Sequence, residues 1–227
     1  MTRSIAARIC VPLVLVLLAM TAAAQGPPDS PVPVASRWDI SLELPTWPSL
    51  QDLQPAAGGA FDPVGAGIGA AWHFPVRQFA DSELLFGIDG FIAATESNIR
   101  GSYEDLLARH LYLGGSLKWL FGEARNLSLD AGLGYHEIDM AQVRYSYWGT
   151  YEAEHWSSSR AGGYLGMTWD AGAGRPGRRS GLSLGWRVHF VDFGRVSDED
   201  AFFRALGSDA GRLEGPLYVL RIAYSGR

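Results

Sequence analysis

The sequence predicts an all-β fold: a closed eight-stranded antiparallel up-and-down transmembrane β-barrel. Three observations predict it. Segments that alternate apolar and polar residues recur eight times along the chain, and a period of two is the pattern of a strand with two unlike faces. In these segments the polar face also carries the glycines, which fit where side chains converge, so the bulky apolar face points outward and needs lipid. After residue 24 no uninterrupted apolar run is long enough for a membrane-spanning helix. A chain that crosses lipid without helices must close its sheet, because open strand edges leave backbone groups unsatisfied there.

The N-terminus stands apart. Arg3 and Arg8 precede an apolar stretch from Ile9 to Met20, and Thr21-Ala22-Ala23-Ala24 offers small residues for cleavage. This is the pattern of a secretory signal peptide over residues 1–24. Its removal makes the formal net charge, −5 for the whole chain, two units more negative and deletes Cys10, the single cysteine. The mature chain then has no disulfide, no thiolate nucleophile and no cysteine metal site. Its acidity argues against a nucleic-acid partner. Residues 25–36 are rich in proline and small residues and read as a disordered lead-in to a barrel over 37–227.

The strands follow in order. The first is Trp38 to Leu44, with Trp38, Ile40, Leu42 and Leu44 outward. A long Pro/Gly/Ala loop leads to the second, Gly65 to Phe74, with Ala66, Ile68, Trp72 and Phe74 outward. The third is Leu84 to Ala94, followed by a polar loop over 95–109. The fourth and fifth form the clearest hairpin, His110 to Ile138. Leu111, Leu113, Leu117, Trp119 and Phe121 share one face, and Leu127, Leu129, Leu133 and Tyr135 answer them after the turn Gly122–Asn126. Residues 148–159 read as an aromatic and polar loop tip. The sixth strand is Arg160 to Trp169 and the seventh is Gly181 to Phe190. A loop over 193–215 carries a short helix expected over 198–206, and the eighth strand is Pro216 to Ser225.

Connections alternate long and short. This matches long extracellular loops at one end and short periplasmic turns at the other. At the short-turn end the outward residues are aromatic in every second strand: Trp38, Trp72, Phe74, Trp119, Phe121, Trp169 and Tyr224. They form an aromatic girdle for one membrane interface. The signal peptide, the eight alternating strands and the loop rhythm resemble the small eight-stranded outer-membrane barrels of Gram-negative bacteria. The resemblance covers nearly the whole mature chain and implies an outer-membrane location. Those families often end on an aromatic residue, whereas this chain ends Tyr224-Ser225-Gly226-Arg227.

Several charges fall on the inward face: Asp39, Glu43, Asp89, Lys118, Asp130, Arg187 and Arg221. If Phe121 pairs with Leu127, Lys118 faces Asp130, which predicts a cross-strand ion pair. Closure of the first strand on the eighth brings Arg221 to Asp39 or Glu43. Eight strands enclose a bore that side chains fill, so these charges form a packed polar plug. His73, His110, His136 and His189 also point inward. They lie at different heights, with His110 and His136 the one plausible pair, and no metal site or cofactor is expected.

The expected role is non-enzymatic. The partners are outer-membrane lipids and an extracellular ligand met by loop aromatics Trp47, Tyr103, Tyr151, Trp156, Phe202 and Phe203. The alternative is a narrow channel for small or apolar molecules. A further one is a lipid hydrolase. His155-Trp156-Ser157-Ser158 is similar to the His-x-Ser-Asn motif of outer-membrane lipid A deacylases but lacks the Asn. No acid is obviously placed to orient His155, although Glu152 and Glu154 are near, and a serine needs an oriented base to act as nucleophile.

Overall fold

The computed structural model describes residues 36–50, 63–79, 81–98, 104–122, 125–146, 149–171, 180–195 and 212–226. All lie in the compact unit Ser36–Arg227. The expected signal peptide, the lead-in up to residue 35 and the expected helix over 198–206 lie outside the described residues.

Ten strands are described. They are β1 (Arg37–Thr46), β2 (Ala66–Gln78), β3 (Glu83–Asn98), β4 (Glu104–Phe121), β5 (Leu127–Ser146), β6 (Gly149–Ala171), β7 (Ser180–Phe190), β8 (Asp192–Arg195), β9 (Arg212–Glu214) and β10 (Leu217–Gly226). Strands β1 to β7 and β10 close an antiparallel barrel in the order β1-β10-β7-β6-β5-β4-β3-β2. Strands β8 and β9 pair separately. Closure satisfies the sheet's edges, with Trp38 opposite Gly226 at one end of the seam and Thr46 opposite Tyr218 at the other.

Two segments expected as loops are largely strand. Residues 95–98 and 104–109 continue β3 and β4, and 149–159 continue β6. They escaped the alternation test because, beyond the lipid, neither face of the sheet must be apolar. As a result only residues 99–103 separate β3 from β4, and only 147–148 separate β5 from β6. The end opposite the chain's entry, called the upper end here, is therefore uneven. Pairing of β2 with β3 stops at Ala66–Ala94, and β7 joins β6 only from Gly163 downward. Strands β3 to β6 rise above that level as a wall.

The outer surface is apolar. Leu133 is 78 % exposed, Ile68 67 % and Leu165 60 %. On β4 the outward belt runs from Phe121 up to Leu111, a rise of ten residues. At about 3.3 Å per residue and a tilt of about 40° that is roughly 25 Å, the height of the apolar band on membrane barrels. At its lower border Trp38 pairs with Trp72 and meets Tyr224 at 5.8 Å between ring centroids. Trp119 meets Phe121 at 5.7 Å, Trp72 meets Phe74 at 6.3 Å, and Trp169 shares the Phe121–Leu127 row.

Leu165 lies in the middle of that belt, so Leu165→Arg touches nothing in the bore. In phospholipid vesicles it is expected to lower folding stability by about 2–4 kcal/mol. Urea unfolding of the two proteins, followed by tryptophan emission, measures the difference.

Candidate functional site

The inward faces fill the bore in two storeys. The lower one is ionic. Arg37 on β1 sends Nη2 across to both carboxylate oxygens of Asp170 on β6, at 2.7 Å each. Asp39 has three cations around it: Lys118 Nζ at 3.3 Å, Arg37 Nε at 3.4 Å and Arg221 Nη1 at 3.7 Å. Lys118 also lies 3.8 Å from its register partner Asp130, which accepts a hydrogen bond from Thr168 at 2.8 Å. Arg221 Nε is 3.0 Å from Glu43, its own register partner on β1, and Ser41 donates to the same carboxylate at 2.5 Å. Gly69 makes this possible, because a Cβ there would collide with the Glu43 and Ser41 side chains.

Higher up, Arg187 on β7 reaches Asp89 on β3 at 2.9 Å, and Tyr164 on β6 donates to the same carboxylate. The Arg187 guanidinium lies 4.4 Å over the Tyr164 ring. Strands β7 and β3 stand on opposite sides of the ring, so this tie spans the full bore. His73 bonds to Ser116 at 3.0 Å. All these charged side chains are buried.

The upper storey is apolar and aromatic, where the sequence had suggested a polar plug throughout. Phe91, Tyr112, Tyr164, Ile138, Met140, Leu106 and Val219 form one buried cluster with Trp47, Leu50, Phe193 and Leu213. The last four come from outside the barrel strands. Trp47 and Leu50 belong to the turn after β1, and Phe193 and Leu213 to the β8–β9 pair. Both Trp47 Nε1 and Ser49 Oγ donate to the Glu214 carbonyl, at 3.3 and 2.7 Å, which ties the two pieces into a lid. Trp47, expected as an exposed recognition aromatic, is therefore 3 % exposed. Trp156 lies on β6 and packs against the same cluster. The lid could not be found by periodicity, since it consists of short segments between strands.

The histidines were expected at different heights, but three of them meet. His110 Nε2 and His136 Nδ1 are 3.0 Å apart with their ring planes within 10° of each other, and His189 stands edge-on to His136 at 5.3 Å. The stagger of neighbouring strands levels them. Among the described residues no group of three or more His, Cys, Asp or Glu side chains is arranged to hold a metal ion.

Outside the barrel, just above the apolar belt, Asp139 on β5 contacts His155 on β6 and lies 3.6 Å from Arg109 on β4. Ser157 is the register partner of Asp139. Asp139 is thus the acid for His155 that the sequence did not reveal, because it is sixteen residues away and adjacent only across the hairpin. Among the described residues no hydrogen bond joins Ser157 to His155. The side chains of Glu152 and Glu154, and residues Tyr103, Phe202 and Phe203, lie outside the described part.

No family model and no curated protein sequence matches the chain. Solved outer-membrane structures are similar to it in fold. Ail, the attachment invasion locus protein of Yersinia pestis, is 13 % identical with a TM-score of 0.46, over 84 % of this chain and 95 % of that one; it has been solved alone and with the heparin analogue sucrose octasulfate. OprG of Pseudomonas aeruginosa is 11 % identical with a TM-score of 0.40, over 85 % and 95 % of the two chains. Neisserial surface protein A is 11 % identical with a TM-score of 0.38, over 84 % and 94 %. Likeness at this identity concerns fold alone.

Lys118 is the one cation in an ion pair with Asp130 among the described residues. Lys118→Met removes the ion-pair partner of that buried carboxylate and one of the three cations around Asp39, and the expected loss of stability is about 3–5 kcal/mol. The urea midpoint of the refolded barrel checks it.

Proposed function

We propose that the chain is a non-enzymatic outer-membrane protein with a sealed bore, exported by a signal peptide cleaved after Ala24. It acts through its bulk in the membrane and through the polar wall above it, where an extracellular ligand is met. The observation that carries this reading is the apolar outer belt around a closed sheet whose interior holds charge pairs. In water that arrangement exposes the wrong face; in lipid it buries each face where it belongs. Cross-bore ties at Arg37–Asp170, Lys118–Asp39 and Arg187–Asp89 leave the interior to side chains, which favours a plug over the narrow-channel alternative. Outer-membrane fractionation should recover a band that migrates faster unboiled than boiled. The purified barrel in planar bilayers should give no steps, and a reproducible single-channel conductance would count against the seal.

One observation favours a second reading, a lipid hydrolase. The Asp139–His155 contact faces outward at the border of the belt, with Ser157 beside it. An acid that orients a histidine beside a serine is one half of what a serine nucleophile requires; the other half, a Ser157–His155 hydrogen bond, would have to form when a lipid binds. In that reading His155 takes the Ser157 proton as the hydroxyl attacks an acyl ester of a lipid headgroup and returns it to the leaving alcohol; a water deprotonated by His155 then cleaves the acyl–Ser157 ester, releasing the fatty acid and restoring the serine. Ser157→Ala should then abolish acyl release from lipid A in cells that express the protein; identical acylation with both proteins ends the hydrolase reading and leaves the first one standing.

A further inference from the structure

Beneath the lid, His110, His136 and His189 form a cluster that the sealed-bore reading does not use. They come from β4, β5 and β7 and are 5 %, 0 % and 0 % exposed. His110 is the link to the lid: its ring centroid is 5.3 Å from Trp47 and 6.4 Å from Phe193. Phe91 on β3 packs edge-on against both His110 and His189; Tyr112 packs edge-on against His189 and tilted against His136. Apart from the single His110–His136 bond, the rings make no hydrogen bonds: His110 Nδ1, His136 Nε2 and both nitrogens of His189 have no partner.

Among the described residues the surroundings offer these rings no counter-charge of their own. From β6 the facing titratable group is Tyr164, 4.9 Å from the His189 ring, and from β4 it is Tyr112. Among the described residues, Arg187 on β7 and Asp89 on β3 lie next to Tyr164 and form an ion pair with each other, with Tyr164 donating to the same carboxylate. Strand β5 contributes the apolar Ile138 and Met140, and the lid contributes Trp47 and Phe193.

We propose that these three histidines are an acid-sensitive latch that seats the lid over the bore at neutral pH and releases it on acidification. A neutral imidazole donates at one nitrogen and accepts at the other, which the His110–His136 bond requires. A ring that gains a proton is a donor at both nitrogens. One imidazolium beneath Trp47 still gains a cation–π contact. The second proton removes the bond and places like charges side by side, with ring centroids 5.2 Å apart, while the described carboxylate on the same storey, Asp89, is held by Arg187. Separation then lifts His110 away from Trp47 and Phe193. The direction follows: the lid is seated when the rings are neutral and loosens as pH falls.

Hydrogen–deuterium exchange on the refolded full-length barrel in detergent tests this, corrected for intrinsic exchange, at a pH of about 7.5 and of about 5. The amides of Thr46, Trp47, Ser49, Leu50 and residues 213–215 should exchange about tenfold faster at the lower pH, while those in the middle of β4 and β5 hold. His110→Phe with His136→Phe keeps two flat rings that cannot titrate and should remove the acid response. If that pair does not migrate as a folded barrel, His189→Phe is read the same way and should weaken the response. An unchanged lid in the wild type at the lower pH, or the same acceleration in the phenylalanine variants, overturns the latch.

Discussion

A carboxylate enclosed in a protein tube inside lipid has nowhere to send its charge. Asp39 meets that constraint with Lys118, Arg37 and Arg221 around it, drawn from three strands. The Born cost of stripping water from an ion is large, and close opposite charge is what offsets it. Much else in the lower bore follows from this. The register of β1 on β10 must bring Glu43 opposite Arg221, and that of β4 on β5 must bring Lys118 opposite Asp130. A slip of one residue in a strand would turn its charges towards acyl chains and its outward leucines into the bore. Glycines mark where a long polar side chain leans over its neighbour, as Glu43 does over Gly69 and the Tyr164 ring over Gly132.

Part of this was legible in the sequence and part was not, for definite reasons. Period-two alternation reports which face of a strand meets which solvent, so the inward set was readable from Asp39 to Arg221. Register within a hairpin follows from its turn, so the Lys118–Asp130 pairing was readable too. The ties between Arg187 and Asp89, and between Arg37 and Asp170, join strands that are not neighbours. They depend on how the closed ring brings opposite walls together, and no local pattern encodes that. The same holds for Asp139 and His155, whose contact exists only because β5 and β6 stay paired beyond the lipid.

The two storeys have different causes. In the lower bore the described side chains come from the strands themselves, and alternation under an apolar exterior leaves most of them polar, with Leu85 and Leu120 between the charges. In the upper bore segments outside the barrel strands also contribute. Trp47, Leu50, Phe193 and Leu213 bring apolar surface that must be buried, and they find it against Ile138, Met140 and Leu106. Apolar burial scales with area removed from water, at about 25 cal/mol per Å², so a lid of two aromatics and two leucines is a substantial contact.

Wall and lid are then two halves of one solution. Strands β3 to β6 climb past the level at which β2 and β7 stop pairing, so the inner face of their extension has no opposite wall to pack on. That face nevertheless carries Leu106, Ile138 and Met140, each almost fully buried. Without Trp47 and Phe193 across from them these side chains would stand in water above the membrane. The turn after β1 and the β8–β9 pair supply the missing wall, and the Glu214 carbonyl, bonded by both Trp47 and Ser49, joins them into a single piece. Whatever moves that piece also exposes the wall, and the histidines lie directly beneath it, with His110 packed on both Trp47 and Phe193.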